Sequence, residues 1–359
     1  MSFRPDVVVV GGGPAGLTAA VVLHRGGCRV RVYERDPSAA HRTQGGTLDL
    51  HEDKGQVALE RAGLLEAFRA IARHEDQGER NVDPFSGQAI AGTPRPDEHL
   101  DRPEIDRGVL RSLLLDALPA KVVQWGHRLI RIDVGVTRKH GLHFADGSQV
   151  EADAVVGADG AWSRVRACLT GIQLRYTGIT FFEGWIETPS RQVDDLVGRG
   201  ALFAFGGPEA VFAQRNGRGR ICVYAALKNP GGARGRGTQR VGAGELVLAR
   251  YRDWAANLRQ LLEACGDFVA RPIHALPPDF GWTPKEGITL IGDAAHLMPP
   301  VGLGVNLAML DAADVATALC SGADWPRAMG DAEARLVARA RGVMPAAIAG
   351  FRQWFASPA

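Results

Sequence analysis

The 359-residue sequence contains no run approaching the roughly 18 apolar residues that a membrane-spanning helix needs. The opening valine run, Val7 to Val10, is cut by three glycines before the apolar core of a secretory signal, roughly 7–15 residues, can form, so a cytoplasmic protein is expected. Cysteine is scarce. The five cysteines, Cys28, Cys168, Cys222, Cys265 and Cys320, form no CxxC pair and no Cys/His set at metal-ligand spacing, which excludes a disulfide framework and a zinc site and leaves free thiols. Neither sign of charge dominates: 42 Lys+Arg stand against 40 Asp+Glu, so no broad field draws the chain to nucleic acid or an anionic membrane. No period of about 20 to 50 residues repeats, which excludes solenoids. Neither Ser148 nor Ser163 lies in a GxSxG context, so a nucleophile-elbow hydrolase is not supported.

What remains is an ordinary folded composition, 45% hydrophobic and 23% charged, in a chain long enough for two or three units at roughly 100 to 200 residues each. Asp6–Val10 (DVVVV) has the length and β-branching of a buried parallel strand, Leu17 to His24 reads as helix, and Arg29–Tyr33 (RVRVY) as a second strand ending at Glu34. Helices are expected over Gly55–Phe68 and Ile105–Leu118, and strands over Val122–Asp133, Gly141–Phe144 and Gln149–Val156, with a hairpin signal at Asp146-Gly147. Residues 173–280 alternate aromatic and β-branched segments with turns, which suggests a separate, mostly antiparallel sheet. After the strand Ile288–Ile291 the chain reads as helix, ending in an amphipathic stretch from Asp331 to Phe355. The Arg/Gly-rich stretch 231–240 lacks interleaved aromatics and reads as a surface loop, not an RNA-binding segment.

Between the first strand and helix lies Gly11-Gly12-Gly13-Pro14-Ala15-Gly16. In a GxGxxG at this place, Gly11 makes the tight turn, Gly13 lets the backbone approach a pyrophosphate, and Gly16 lets helix and strand pack closely; the pyrophosphate then meets the helix N-terminus. Glu34 is placed to bind an adenosine ribose. Much later, Ile288–Ile291 delivers Gly292-Asp293-Ala294-Ala295-His296 and a Pro/Gly loop opening another helix. There Asp293 is positioned for a polyol hydroxyl, and the Gly302–Asn306 turn would aim helix N–H groups, from about Val305, at an electron-rich ring, with Asn306 as a helix cap. Only one GxGxxG is present, so a nicotinamide would visit a shared cleft without its own domain. His296 reads as a structural histidine bonded to loop backbone, and Asp194-Asp195 as a solvated pair.

GGGPAG with Glu34-Arg35, the Ala158-Asp159-Gly160 segment of VVGADGAWSRVR, and GDAAHLMPP, in this order, make the chain similar to the FAD-dependent aromatic hydroxylases, the class A flavoprotein monooxygenases. Within that family it most resembles the tetracycline-inactivating monooxygenases, through RTQGGTLDLHEDKGQ, PEIDRGVLRSLLL and GDAAHLMPP. The resemblance implies an α/β fold: an FAD-binding Rossmann-like domain of glutathione-reductase type from residues 1–75, 104–172 and 281–330, a β-rich substrate domain from 76–103 and 173–280, and a C-terminal helix over 331–359. It implies FAD held by Gly11, Gly13, Pro14, Ala15, Gly16, Glu34, Arg35, Arg42, Gly46, Asp49, Arg111, Asp159, Asp293, Pro300, Gly302, Gly304, Val305 and Asn306. Asp159 would also take part in nicotinamide binding. Phe203, Phe205, Phe212 and Tyr224 would line the substrate cavity. The implied activity is hydroxylation of a hydrophobic polycyclic or phenolic molecule with NAD(P)H and O2, by a monomer or weak homodimer. A redox-silent flavin-dependent cyclase and a flavin-binding drug-sequestering protein are the alternatives. The chain departs from the tetracycline-inactivating pattern at VGLGV, Val301 to Val305, which is one residue shorter and places Leu303 where many relatives carry Gln or Glu.

Overall fold

Asp6–Val10 (β1) is the middle strand of a five-stranded parallel sheet, and burial on both faces is why an unbroken valine run is needed there. The computed structural model describes residues 4–41, 45–90, 101–135, 139–229 and 242–356, and orders this sheet as Ile288–Leu290 (β16), Ala154–Gly157 (β10), β1, Arg29–Glu34 (β2) and Val123–Trp125 (β6). The helix Pro14–Arg25 (α1) joins β1 to β2 and packs alongside Gly304–Leu319 (α10). Thr47–Asp49 (β3) and Glu104–Asp106 (β5) pair antiparallel to each other. Arg107–Asp116 (α4), Arg164–Leu169 (α5) and the short Asp293–His296 (α9) complete this layer.

Three elements divide where a single one is expected. The helix read over Gly55–Phe68 is two, Val57–Arg61 (α2) and Leu65–Ile71 (α3), preceded by a wide turn at Glu52–Gln56 and parted at Gly63, which adopts a positive φ of 67°. The strand read over Val122–Asp133 turns at Gly126: β6 stays beside β2, while Leu129–Asp133 (β7) leaves to form a three-stranded meander with His140–Phe144 (β8) and Gln149–Ala152 (β9). Likewise Gln149–Val156 divides at Asp153 into β9 and β10, and the Asp153 carboxylate accepts from the Asp6 N–H at 2.9 Å to fix the junction. The expected hairpin between β8 and β9 forms, with Asp146 Oδ1 accepting from the Ser148 N–H and hydroxyl.

The second sheet has six strands in the order Val269–Ala275 (β15), Arg175–Ile186 (β11), Ile221–Lys228 (β14), Glu209–Arg215 (β13), Ala201–Phe205 (β12) and Glu79–Asn81 (β4), antiparallel except for the β12/β4 pair. Alternate residues point to opposite faces. One face, with Val211, Ala213, Val223 and Ala225, is covered by Arg191–Val197 (α6), Ala243–Arg250 (α7) and Ala256–Glu263 (α8) through Val193, Val247, Leu258 and Leu261. These three helices are absent from the strand-and-turn reading of residues 173–280. The other face carries Phe181, Phe212 and Ala226 against Phe351, Trp354 and Phe355 at the end of the C-terminal helix, Trp325–Gln353 (α11). That helix starts six residues before the expected Asp331 and passes through Pro345. Among the described residues, no helix is long and apolar enough to cross a membrane. The Arg/Gly-rich stretch 231–240 lies outside them.

Candidate functional site

The glycine loop is built as its sequence requires. Gly11 has a φ of 111°, and a Cβ there would overlap the Ala158 carbonyl; a Cβ on Gly16 would overlap the Gly11 carbonyl. Strand, loop and helix can approach this closely only with glycine at both places. Gly13 precedes α1 with no side-chain cap, and a Cβ on it would meet nothing within 4 Å, so the first turn of the helix gives onto open space. That space is a cavity of about 670 Å³ lined by Gly11, Gly13, Glu34, Arg35, Asp159 and Arg166 among others. Pro14, Ala15 and Gly16 continue from its wall as the first turn of α1.

Glu34 ends β2 buried, and its carboxylate holds the loop: Oε2 accepts from the Gly12 N–H at 2.6 Å and Oε1 from the Asp36 N–H at 2.9 Å. A carboxylate offers about four lone-pair sites, so capacity remains toward the cavity it lines. Arg111 is buried behind the loop, donating to the Gly12 carbonyl at 3.0 Å and the Ala39 carbonyl at 2.8 Å, with its guanidinium 5.1 Å from the Trp125 ring centroid. It therefore shapes the loop from behind. Asp159 lies on the cavity wall, but its oxygens accept from the Ser163 hydroxyl and from the Arg164 and Val165 N–H groups, capping α5. Burial pushes this carboxyl above its ordinary range.

Arg166, a residue the sequence reading passed over, connects two of the motifs. It donates to the Ala294 carbonyl at 2.9 Å and to the Ala161 carbonyl, and burial lowers its guanidinium from the usual value. It closes the VVGADGAWSRVR stretch, and its place in that motif is its signal in the sequence. Gly292 is the meeting point of the loops: a Cβ there would lie 3.2 Å from both Ala15 and Ala308 Cβ. Segments spread over nearly 300 positions thus pack against one another.

The rest of the expected set lies outside the lining of that cavity. Asp293 and Pro300 are exposed, and a Cβ on Gly302, before α10, or on Gly304, its first residue, would meet nothing within 4 Å. Val305 sits in the first turn of α10. Asn306 does not cap α10 as expected. Its amide donates to the Asp49 carbonyl at 2.9 Å and its oxygen accepts from the His51 N–H at 2.8 Å, stapling the end of β3 to the VGLGV loop. His296 bonds a carboxylate and not the loop backbone through its ring: Nε2 and Asp311 Oδ2 are 2.6 Å apart, both side chains are buried, and Arg339 donates to the other Asp311 oxygen. Arg42 lies outside the described residues.

Phe203, Phe205, Phe212 and Tyr224 share one face of the six-stranded sheet. The three phenylalanines pack together with ring centroids 5.7 to 6.4 Å apart, and Trp354 covers Phe205 and Phe212 at 5.7 and 5.6 Å. A smaller apolar cavity of about 380 Å³ is lined by Trp354 itself, by Val301 and Leu303, and by the α11 residues Gly342, Val343 and Ala346 among others. On this face of the sheet the Tyr224 hydroxyl lies 3.1 Å from where a Gly46 Cβ would stand, beside Gln214. Burial raises that hydroxyl well above its ordinary value, so it stays protonated and can donate. At the neighbouring strand pair, burial and the opposed Asp49 push Glu104 up to about 8, while Thr47 donates to it. Among the described residues no cluster could hold a metal.

The FAD binding domain family matches residues 4–204 and 283–325. The chain belongs to that family. Similar proteins include monooxygenase asqM of Emericella nidulans, 29% identical over 373 residues that cover 87% of this chain and 83% of that one. A 6-methylpretetramide 4-monooxygenase of Streptomyces rimosus is 32% identical over 337 residues, covering 88% and 75%. The chain is accordingly an FAD-dependent monooxygenase. The fold is shared with 2,6-dihydroxypyridine-3-hydroxylase of Arthrobacter nicotinovorans at a TM-score of 0.83 and 19% identity, covering 98% and 90% of the chains. The tetracycline destructase Tet(51) shares it at 0.73 and 18%, covering 99% and 93%. The cradle suits an FAD: an open Gly13 before a helix N-terminus, a buried acid at the end of the second strand, and a cavity of about 670 Å³ between them.

Proposed function

We propose that the enzyme uses NAD(P)H and O2 to hydroxylate a hydrophobic small molecule, phenolic or polycyclic in the manner of aromatic polyketides. The observation that carries this reading is the cavity of about 670 Å³ at the glycine loop, lined by Gly11, Gly13, Glu34 and Asp159, with Gly292 packed between Ala15 of α1 and Ala308 of α10. The chemistry FAD supplies when bound is the passage of reducing equivalents from NAD(P)H to O2, with one oxygen atom going to the substrate.

Glu34 would bind the adenosine ribose through its remaining lone pairs, the α1 backbone N–H groups the pyrophosphate, and Arg35 and Arg42 its charge. Arg111 would act through the loop it supports, and Asp159 through the α5 cap. Asp293 would hold a polyol oxygen. The uncapped first turn of α10, with Pro300, Gly302, Gly304 and Val305, would set partial positive charge against a ring that gains electrons. Gly46 and Asp49 would lie near that ring, which brings Tyr224 and Gln214 to the substrate as the polar groups on an otherwise aromatic face. Leu303 and Val301 would help exclude water. The names of the Streptomyces rimosus and Tet(51) relatives support a polycyclic substrate.

The test is NADPH oxidation by the flavin-loaded enzyme against a panel of phenols and polycyclic aromatic polyketides. At least one should accelerate oxidation and emerge with an added oxygen. Failure of every panel member to stimulate NADPH consumption, with flavin bound, would refute the substrate class.

A further inference from the structure

Cys28 and Cys320 are 292 positions apart in the chain, yet their sulfurs stand 3.3 Å from each other. Cys28 follows the Gly26-Gly27 turn that ends α1, and Cys320 ends α10. A Cβ on Gly26 would overlap the Cys320 sulfur, so a glycine at that place is what admits the thiol to the turn. Cys28 is buried, while Cys320 is reached by solvent.

We propose that Cys28 and Cys320 are an oxidative modification site, closing to a reversible disulfide with hydrogen peroxide as oxidant. The Cys28 thiolate attacks one peroxide oxygen; an S–O bond forms, the O–O bond breaks, and the departing hydroxide takes a proton as water. The Cys320 sulfur then attacks the Cys28 sulfur; the S–S bond forms, the S–O bond breaks, and the leaving hydroxide takes the Cys320 proton as a second water. In sum the two thiols lose two electrons and two protons, and one peroxide becomes two waters.

The geometry favours this pair over the other thiols. The sulfurs need to approach by roughly 1.3 Å to reach the bonded distance of about 2.05 Å, a movement within side-chain rotation at a helix end. The hydrogen bond between the two sulfurs, with the Arg4 guanidinium close by, brings the Cys28 thiol down to about 7 and pushes Cys320 up. Burial drives Cys222 the opposite way, up to about 12, and raises Cys265 as well. α1 and α10 lie side by side, with the glycine loop and the VGLGV loop at their N-terminal ends. A bond between Cys28 and Cys320 would therefore pin the far ends of the two helices whose near ends form the candidate cofactor cradle.

The experiment treats the flavin-loaded enzyme with hydrogen peroxide and maps its peptides without reduction. The expected product is one cross-linked pair containing Cys28 and Cys320, lighter than the separate peptides by about 2 Da and reversed by dithiothreitol. Oxidation should raise Tm by about 5 °C, because the bond closes a very long loop. Cys28→Ser or Cys320→Ser should abolish both effects, and Cys168→Ser should leave them intact. If the wild-type pair stays as two thiols under excess peroxide, goes to sulfinic acid without a cross-link, or pairs with another cysteine, the proposal is overturned. The wild-type map gives this answer whether or not the serine variants fold.

Discussion

Removing the Glu34 carboxylate takes away the bond from the Gly12 N–H that holds the glycine loop, the bond from the Asp36 N–H beside it and, with them, the acceptors proposed to bind a ribose. Hydrogen bonds contribute about 0.5–1.5 kcal/mol net each, so loss of two on the FAD side corresponds to roughly a tenfold to hundredfold rise in Kd. Glu34→Ala should show that rise in a flavin fluorescence titration and should also lower the Tm of the apoprotein; an unchanged Kd would contradict the assigned role. Glu104 makes a different prediction because its carboxyl is raised to about 8 from an ordinary 4.5. The folded protein keeps the proton over an interval in which the unfolded chain has released it, so this group's stabilisation is complete below about pH 4.5 and is lost as pH rises through about 8. Thermal melts should therefore show the wild type losing Tm against Glu104→Gln across that interval, since Gln still accepts from Thr47 and does not ionise. Parallel pH profiles would show that Glu104 is already ionised in the fold.

Among the elements, the α10 start depends on a side chain that reaches away from its own helix. Asn306→Ala removes the bond to the Asp49 carbonyl and leaves the His51 N–H without its acceptor, which should cost about 2 kcal/mol or more and release flavin faster in a dilution assay. Unaltered melting and flavin retention would show the staple to be dispensable. This contact also marks the limit of what the sequence discloses. The β1–α1–β2 opening was readable because strand length, glycine spacing and the terminal acid are all local to its first 34 positions. The splitting of residues 122–133 was not, because Gly126 alone does not say that the chain changes sheets there. The helices α6 to α8 were missed because their apolar residues are few and lie among strand-like segments. Asn306 looked like a cap because residue type and local position were right, and the partners that take up its side chain come from elsewhere in the fold.

For the whole molecule, the second sheet and the C-terminal helix meet through aromatic rings, and two of those rings should separate packing from substrate contact. Phe212 is buried between the sheet and Trp354, so Phe212→Ala should destabilise by about 3–5 kcal/mol, read as a loss of Tm. Phe205 is only half-buried on the same face, and Phe205→Leu should raise substrate KM while leaving Tm nearly unchanged. A large Tm loss with constant KM would place Phe205 in the core as well. The central claim, that these two sheets and their helices bring FAD, nicotinamide and a hydrophobic aromatic molecule together for oxygenation, is tested most directly by isotope. Flavin-loaded enzyme supplied with NADPH, a stimulating substrate and isotopically heavy dioxygen should consume NADPH and give a product carrying one heavy oxygen atom. A product of unchanged mass, an isomer formed without NADPH consumption, would contradict the account and make the chain a cyclase.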